Sequence, residues 1–252
     1  MINNTSDFLI ANLEQEIEEG MTVVQGTSAF IPLIATKLAQ TKKKINLIGG
    51  FALNPDIDAK IPSTFSSYNF PDSKSYLGLS GFLDMLQNRK IDLEFLRPAQ
   101  MDQSGVMNNT IIGNYKTPKI RLPGGMGVED VMTFVKKIIL YIPNHNKKVF
   151  VKKVDFVTAH GWNRGKGPDK IITNMCIFEF PDKRITLTAI NPEYTLEDVK
   201  KETGFKFAVA KEIRKMAVPD EETIKLIEKA DPLRLRDLEI KEKREEVLKK
   251  FR

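Results

Sequence analysis

The sequence predicts an α/β protein whose sheet is at least partly parallel. Residues 22–24 form a short apolar run typical of a buried strand, Phe30–Gln40 has helical spacing, and residues 44–48 form a second apolar strand. A strand, a helix and a strand in this order indicate a βαβ unit with parallel pairing. Because ligands of such sheets bind at the carboxyl ends of the strands, we expect residues 26–28 and 48–50 at one edge.

The composition is that of an ordinary globular chain. Of the 252 residues, 41% are hydrophobic and 29% are charged, and no apolar run is long enough to span a membrane. The first twenty residues carry acids and no basic segment, so no signal peptide is expected. The single cysteine, Cys176, excludes an intrachain disulfide. We therefore expect a cytoplasmic protein that has no contact with a membrane.

The positive charge does not point to nucleic acid. The formal net charge is +6 and the pI is near 9.2, but the basic residues are scattered, and the tail at residues 231–252 mixes both signs. No basic stripe is interleaved with aromatic residues, so we expect no nucleic-acid partner. Scattered lysines would serve a polyanionic small molecule equally well.

The remaining elements follow from periodicity and turn residues. Ser6 is expected to cap a helix that Gly20 ends. The connection at residues 51–79 contains three prolines, and such a long connection is usually functional or mobile. Further helices are expected at residues 82–87, after Gly127, from the cap Thr195 to residue 202 and from the cap Asp220 to residue 230. Further strands are expected at residues 91–96, Lys137–Ile142, 154–158, 171–180 and 185–190.

The sequence indicates one domain over residues 1–230, since no linker or internal repeat divides it. Residues 231–252 are charged and helix-prone, and they form either a solvated helix or an arm on a partner.

A stretch rich in loop residues, 96–130, lies in the middle of the chain. It ends in Gly124, Gly125 and Gly127, directly before a helical pattern. Glycines before a helix let several backbone N–H groups point at one spot, which suits a phosphate, a carboxylate or the oxyanion of acyl transfer. The alternative is a tight turn into a helix with no ligand.

Single residues offer little chemistry. His160 follows a predicted strand near Trp162 and could be an acid, a base or a structural residue. His145 lies in a polar turn and supplies no second ligand, so we expect no metal site. Cys176 lies in an apolar strand and is expected to be a core thiol. No nucleophile elbow, Walker loop or dinucleotide fingerprint occurs.

Taken together, several short motifs resemble the B (beta) subunit of the family I CoA-transferases, in particular its glutaconate CoA-transferase branch. The resemblance runs roughly over residues 20–236, and its specificity comes from the order and spacing of the motifs. The main motifs are residues 22–27, Ala99-Gln100-Met101-Asp102, Ser104-Gly105-Val106-Met107-Asn108, Gly124-Gly125-Met126-Gly127, residues 154–158 with Gly161-Trp162, and Thr203-Gly204-Phe205.

This resemblance implies an open α/β/α sandwich with a mixed, mostly parallel sheet. It also implies a CoA-transferase-like alpha subunit as partner, in a heterodimer or heterotetramer, with an acyl-CoA bound between the subunits. Coenzyme A would enter as part of the substrate, with no permanently bound cofactor. The implied site residues fall into three groups: Gly124, Gly125 and Gly127 at the thioester oxygen; Gly26, Thr27, Gly49 and Gly50 along the acyl-CoA cleft; and Arg97, Gln100 and His160 in contact with substrate.

The chain departs from the family pattern at two positions. Transferases that this chain resembles carry a glutamate in the turn after the second strand, where this chain has Ile48. Isoleucine cannot be a nucleophile, so no residue of this chain is a certain catalytic residue. In addition, Arg97 and Pro98 replace two small residues, and Arg97 would pair with a substrate carboxylate or form a surface salt bridge.

Relatives without the glutamate imply hydrolysis or carbon–carbon bond cleavage at an acyl-CoA. The resemblance favours the ring-opening hydrolase of steroid breakdown, whose acid/base glutamate belongs to the A subunit. Three alternatives stay open: a transferase whose carboxylate lies elsewhere, for example at Asp56; an acyl-CoA decarboxylase; and a non-catalytic scaffold subunit.

Overall fold

The computed structural model describes residues 4–26, 29–54 and 73–251. Within these ranges the chain forms two compact units. The first consists of residues up to Phe95 together with Ala217 onward, and the second runs from Leu96 to Met216. The division into a domain of residues 1–230 and a C-terminal helix or arm stays a prediction.

The described residues of the first unit form five strands: β1 (Thr22–Gln25), β2 (Asn46–Gly49), β3 (Ala52–Leu53), β4 (Ser75–Tyr76) and β5 (Leu93–Leu96, whose last residue belongs to the second unit). They lie in the order β5-β1-β2-β3-β4. β1 pairs in parallel with both β2 and β5, which confirms the predicted βαβ unit. β3 and β4 add an antiparallel edge to it.

The helices of the first unit are α1 (Thr5–Glu14), α2 (Phe30–Gln40), α3 (Gly78–Gln87), α6 (Glu221–Ala230) and α7 (Arg244–Leu248). α2 occupies the predicted residues and is almost entirely buried. α1 is capped by Asn4, whose Oδ1 accepts the N–H of Ser6, and it ends at Glu14, so the predicted cap and end were wrong. α3 begins four residues before the predicted start.

The second unit contains the remaining strands. Four are short: β6 (Gln100–Met101), β7 (Met107–Asn108), β8 (Ile111–Gly113) and β9 (Pro118–Arg121). Five form its main sheet: β10 (Lys137–Ile142), β11 (Lys170–Thr173), β12 (Cys176–Glu179), β13 (Thr186–Ile190) and β14 (Ala208–Lys215). They lie in the order β14-β13-β12-β11-β10. The β10–β11 and β13–β14 pairs are parallel, whereas β12 is antiparallel to both neighbours.

Two helices belong to the second unit, α4 (Val128–Phe134) and α5 (Leu196–Glu202). Both begin where the sequence predicted. Thr195 caps α5 in a capping box, in which its hydroxyl accepts the N–H of Asp198 while the Asp198 carboxylate accepts the N–H of Thr195.

Two predictions about strands were wrong, and one strand of the main sheet was missed. Residues 154–158 are irregular. The Asp155 carboxylate accepts from the Gln100 side chain and from the N–H of Gly113, and the Asp155 N–H donates to the Gln100 side chain instead of to a neighbouring strand. The apolar run at residues 171–180 is two strands, since Asn174 and Met175 turn the chain between them. Finally, β14 was not predicted.

Part of the C-terminal segment packs into the first unit. A 3-10 helix (Leu235–Glu239) follows α6, and its Arg236 side chain is fully buried. Arg236 donates to Asp7, Glu228 and Asp231, so three carboxylates hold this segment in place. The periodicity of the tail did not reveal this, because all four residues look like ordinary surface charges in the sequence.

Candidate active site

Gly26, Gly49 and Gly50, here called the rim glycines, lie where the parallel strands β1 and β2 end. Gln25 pairs with Gly49, so Gly26 and Gly50 follow the ends of β1 and β2 at the same edge, as predicted. Gly50 and Phe51 have φ angles of +55° and +64° and form the two-residue turn into β3. Thr27, the remaining cleft residue of this unit, lies outside the described residues.

Ile48 is the second-last residue of β2, directly before this edge of the sheet. It is 1% exposed and pairs with Val24 of β1 on one side and Leu53 of β3 on the other. Its surroundings at the end of β2 are therefore those of a packed apolar side chain.

The first unit also buries a carboxyl that the sequence analysis did not single out. Glu94 of β5 is 5% exposed, and its Oε2 has no hydrogen-bond partner among the described residues. Burial raises the pKa of Glu94 to about 8. The sequence signal was a single acid inside the apolar run Leu93-Glu94-Phe95-Leu96.

In the second unit, the glycine loop leads directly into α4. Gly124, Met126 and Gly127 have φ angles of +94°, +43° and +83°. The N–H of Gly124 donates to the carbonyl of Asn109 at 2.8 Å. The N–H groups of Gly125, Met126 and Gly127 donate to no acceptor in the described part of the chain, so they can receive an anionic oxygen.

His160 lies beside the start of α4. Its Nδ1 is 2.9 Å from Oε1 of Glu129, and its backbone N–H donates to Oε2 of Glu129 at 2.7 Å. Nη1 of Arg164 lies 3.5 Å from Nε2 of His160. The Glu129 carboxylate thus holds the imidazole in one orientation. Glu129 itself is the second residue after Gly127. The sequence could not show this pair, since 31 residues separate its members.

The other two predicted substrate contacts differ in exposure. Arg97 is exposed directly after β5, and its carbonyl accepts the side-chain amide of Asn109. Gln100 is buried, and its Oε1 accepts from the Asn108 amide and the Asp155 N–H while its Nε2 donates to Asp155. Both the oxygen and the nitrogen of the Gln100 amide therefore have partners within the second unit.

His145 and Cys176 form a structural cluster of the second unit. The two ring nitrogens of His145 contact the hydroxyls of Thr173 and Thr203 at 3.1 and 2.9 Å, and the ring stacks on Phe150. Burial lowers the pKa of His145 to about 3. Burial also raises the pKa of the Cys176 thiol, so this thiol is a poor nucleophile.

Among residues 4–26, 29–54 and 73–251, no cluster of three or more His, Cys, Asp or Glu side chains is placed to hold a metal. The same ranges contain no helix with the length and apolar character needed to cross a membrane.

The first unit thus carries glycines at the ends of its parallel strands, and the second unit carries a glycine loop whose amides have no acceptor among the described residues. The sequence profile of the family described as Coenzyme A transferase matches residues 9–202. The chain therefore belongs to the coenzyme A transferase family.

The chain is similar to B-type (beta) chains of this family. It is 36% identical over 155 residues to the B chain of the glutaconate CoA-transferase of Acidaminococcus fermentans, covering 56% of this chain and 57% of that one. It is 34% identical over 150 residues to the B chain of the 3-oxoadipate CoA-transferase of Pseudomonas knackmussii, covering 54% and 57%. It is 27% identical over 155 residues to the cholesterol ring-cleaving hydrolase IpdB subunit of Mycobacterium tuberculosis, covering 56% and 61%. The chain matches less than two thirds of the length of each of these three relatives.

Solved structures confirm the fold that the resemblance implied, a mixed sheet with flanking helices. The glutaconate coenzyme A-transferase from Acidaminococcus fermentans superposes with a TM-score of 0.78 at 25% identity, over 92% of this chain and 96% of that chain. The decarboxylase AibA/AibB superposes with a TM-score of 0.84 at 22% identity, over 93% and 97%.

Proposed function

We propose that this chain is the B-type member of a heteromeric enzyme that hydrolyses an acyl-CoA or cleaves a carbon–carbon bond in it. The observation that carries the proposal is the buried Ile48, at the position where transfer of CoA would need a glutamate. An isoleucine offers no atom that can attack a thioester or hold CoA covalently.

The amides of Gly125, Met126 and Gly127 support the proposal, since they can bind the thioester oxygen as it gains negative charge. In this role the cleft residues Gly26, Thr27, Gly49 and Gly50 border the acyl-CoA. His160, oriented by Glu129, and the exposed Arg97 are the substrate contacts of the second unit. The buried Gln100 supports the loop around it instead of touching substrate.

A partner of the A type is part of this proposal. The similar chains are of the B type, and the similar decarboxylase carries a paired name, AibA/AibB. We expect the two chains to share a substrate that brings its own coenzyme A, in a cytoplasmic enzyme without a resident cofactor.

The second candidate is a true CoA-transferase. It is favoured by the two relatives of 34% and 36% identity, both of which are CoA-transferases. Its carboxylate would have to come from the A-type subunit or from Asp56, which lies outside the described residues. A decarboxylase and a non-catalytic scaffold subunit are the remaining alternatives.

The test uses this chain co-purified with its A-type subunit. The complex is incubated with acetyl-CoA, glutaconyl-CoA and 3-oxoadipyl-CoA, and free thiol and intact protein mass are followed without further reagents. Borohydride or hydroxylamine is added only to a separate aliquot, where it traps or cleaves a protein-bound thioester. We expect thiol release or acyl-chain cleavage with both protein masses unchanged.

A CoA adduct on either chain would contradict the proposal and favour transfer. Binding of no acyl-CoA beyond that of the A-type subunit alone would favour the scaffold. Ile48→Glu and its apolar control Ile48→Val sharpen the test, because only the first restores a group that can form an adduct.

A further inference from the structure

The pairing of the three parallel strands places one carboxyl directly beside the edge that carries the rim glycines. Val24 pairs with Ile48 on one side and with Glu94 on the other. Paired residues of neighbouring strands project to the same face of a sheet. Ile48, Val24 and Glu94 therefore form one row on one face, with Ile48 and Glu94 separated by two strand spacings, roughly 10 Å.

This row lies just inside the carboxyl ends of the strands. The next residue of β1, Gln25, pairs with Gly49, the last residue of β2. Glu94 is two residues from the end of β5, a distance of about 7 Å along the strand. The carboxyl is thus on the strand ends at which α/β proteins bind ligands.

Among the described residues, no hydrogen-bond partner of Oε2 explains the burial of Glu94. Its row neighbours Val24 and Ile48 are apolar, and neither can donate a hydrogen bond or titrate. Its Oε2 is fully buried without a hydrogen-bond partner among the described residues. An unpaired buried carboxyl costs stability, and native structures bury few such groups.

We propose that Glu94 is a catalytic residue of this site, the proton donor to the atom that leaves when the acyl-CoA is cleaved. This inference rests on the proposed function above. It assigns to this chain a catalytic carboxyl in place of the glutamate that is missing at position 48.

The proposed step balances as follows. Water adds to the carbonyl carbon and loses one proton to solvent or to a base of the A-type subunit. The carbon–sulfur bond breaks in hydrolysis, or the carbon–carbon bond breaks in chain cleavage, and its electron pair stays on the sulfur or the carbon. That atom takes the proton of the Glu94 carboxyl, and the carboxylate then regains a proton from solvent. Burial supports this role, because it keeps the carboxyl protonated near neutral pH.

The test compares the wild-type complex with variants Glu94→Gln and Glu94→Asp, and with Glu212→Gln as a matched control on the exposed face of β14. We measure kcat against pH and the affinity for acetyl-CoA, glutaconyl-CoA and 3-oxoadipyl-CoA, and verify folding by circular dichroism. Glu94→Gln should lower kcat about 100-fold and abolish an alkaline limb near pH 8, while affinity changes less than about threefold. Glu94→Asp should retain more activity than Glu94→Gln, and Glu212→Gln should match wild type.

If the wild-type complex is active and Glu94→Gln keeps its turnover within about twofold and its pH profile, this inference is overturned while the proposed function stands. Equal losses in Glu94→Gln and Glu94→Asp with weakened acyl-CoA binding also overturn it, because they indicate a structural role. A wild-type complex that leaves every acyl-CoA intact overturns the proposed function, and this inference with it.

Discussion

Two buried ionisable side chains of the first unit, Glu94 and Arg236, have opposite surroundings. Arg236 is fully buried, and its guanidinium donates to Oδ1 of Asp7 at 2.6 Å, to Oδ2 of Asp231 at 3.0 Å and to Oε1 of Glu228 at 2.5 Å. Glu94 is 5% exposed, and its Oε2 has no partner in the described residues. Each thus bears the cost of leaving water, but only Arg236 recovers part of it through ion pairs.

The difference separates a structural from a functional role. The Arg236 network joins the first helix of the chain to its C-terminal segment, so its groups fix the fold of the first unit. The Oε2 of Glu94 has no hydrogen-bond partner among the described residues, so it holds no other element in place. Glu94 lies near the carboxyl ends of the strands, where α/β proteins bind ligands. A buried titratable group without a structural partner is a candidate for chemistry.

The largest expected effect is on Arg236. Arg236→Met should lower the free energy of unfolding by about 3–5 kcal/mol, because it leaves the buried carboxylates of Asp7 and Asp231 without a counter-charge. Urea denaturation measures this. The control Arg214→Met breaks a largely exposed pair with Glu179 and should cost less than about 1 kcal/mol. Equal losses in the two variants would remove the distinction drawn between buried and exposed pairs.

Replacing Glu94 should change the free energy of unfolding in the opposite direction. Glu94→Leu should raise the free energy of unfolding at pH 8 by about 1–3 kcal/mol, since it removes an unpaired buried carboxyl, and it should abolish activity. The control Glu212→Leu, at an exposed position, should change stability by less than about 0.5 kcal/mol.

The stability contributed by Glu94 should also depend on pH. The folded pKa of about 8 lies above the ordinary value of 4.5, so this contribution is fully present below pH 4.5 and is lost as pH rises through 8. Wild type should therefore lose stability relative to Glu94→Leu across this range, by up to ~1.4 kcal/mol per pH unit. A difference between the two that is flat with pH would show that the carboxyl is not held protonated.

His145 extends the comparison to a buried, neutral and fully partnered group of the second unit. Its folded pKa of about 3 lies below the ordinary value of 6.5, so its contribution is present above pH 6.5 and is lost as pH falls toward 3. His145→Leu should cost about 1–2 kcal/mol at pH 7, because Thr173 and Thr203 lose a hydrogen-bond partner. Denaturation at pH 7 and pH 5 should show that deficit shrinking; a deficit that grows in acid would refute the assignment.

A small effect on stability is expected for the exposed Glu129–His160 pair. Glu129→Gln should change the free energy of unfolding by less than about 1 kcal/mol, because the side chains of Glu129 and His160 are 50% and 32% exposed. Turnover should nevertheless fall roughly tenfold, because His160 loses the carboxylate that orients it. Unchanged turnover would remove His160 from the site.

The sequence predicted elements whose signals are local. α2 and β10 occupy the predicted residues, and both N-caps with strong local chemistry, Thr195 and Asp220, are in place. In contrast, the expected strand at 154–158 was wrong because Asp155 hydrogen-bonds to Gln100, 55 residues earlier in the chain. Local periodicity carries no information about such a contact.

The same limit applies to the candidate site. The glycine positions could be predicted, because glycine before a helix or in a tight turn has a local backbone meaning. The row of Ile48, Val24 and Glu94 could not, since it depends on the register of three strands that are distant in the chain. The partnership of Glu129 with His160 was missed for the same reason.

The most direct test of the central claim, that the chemically active carboxyl of this chain is Glu94, is infrared difference spectroscopy of the complex with its A-type subunit. Wild-type minus Glu94→Gln spectra are recorded from pH 5 to pH 10, with and without acetonyl-CoA, a ketone analogue that cannot be hydrolysed. We expect a protonated-carboxyl band that titrates near pH 8 and shifts when the analogue binds. A band that is absent at pH 6, or that ignores the analogue, would contradict it.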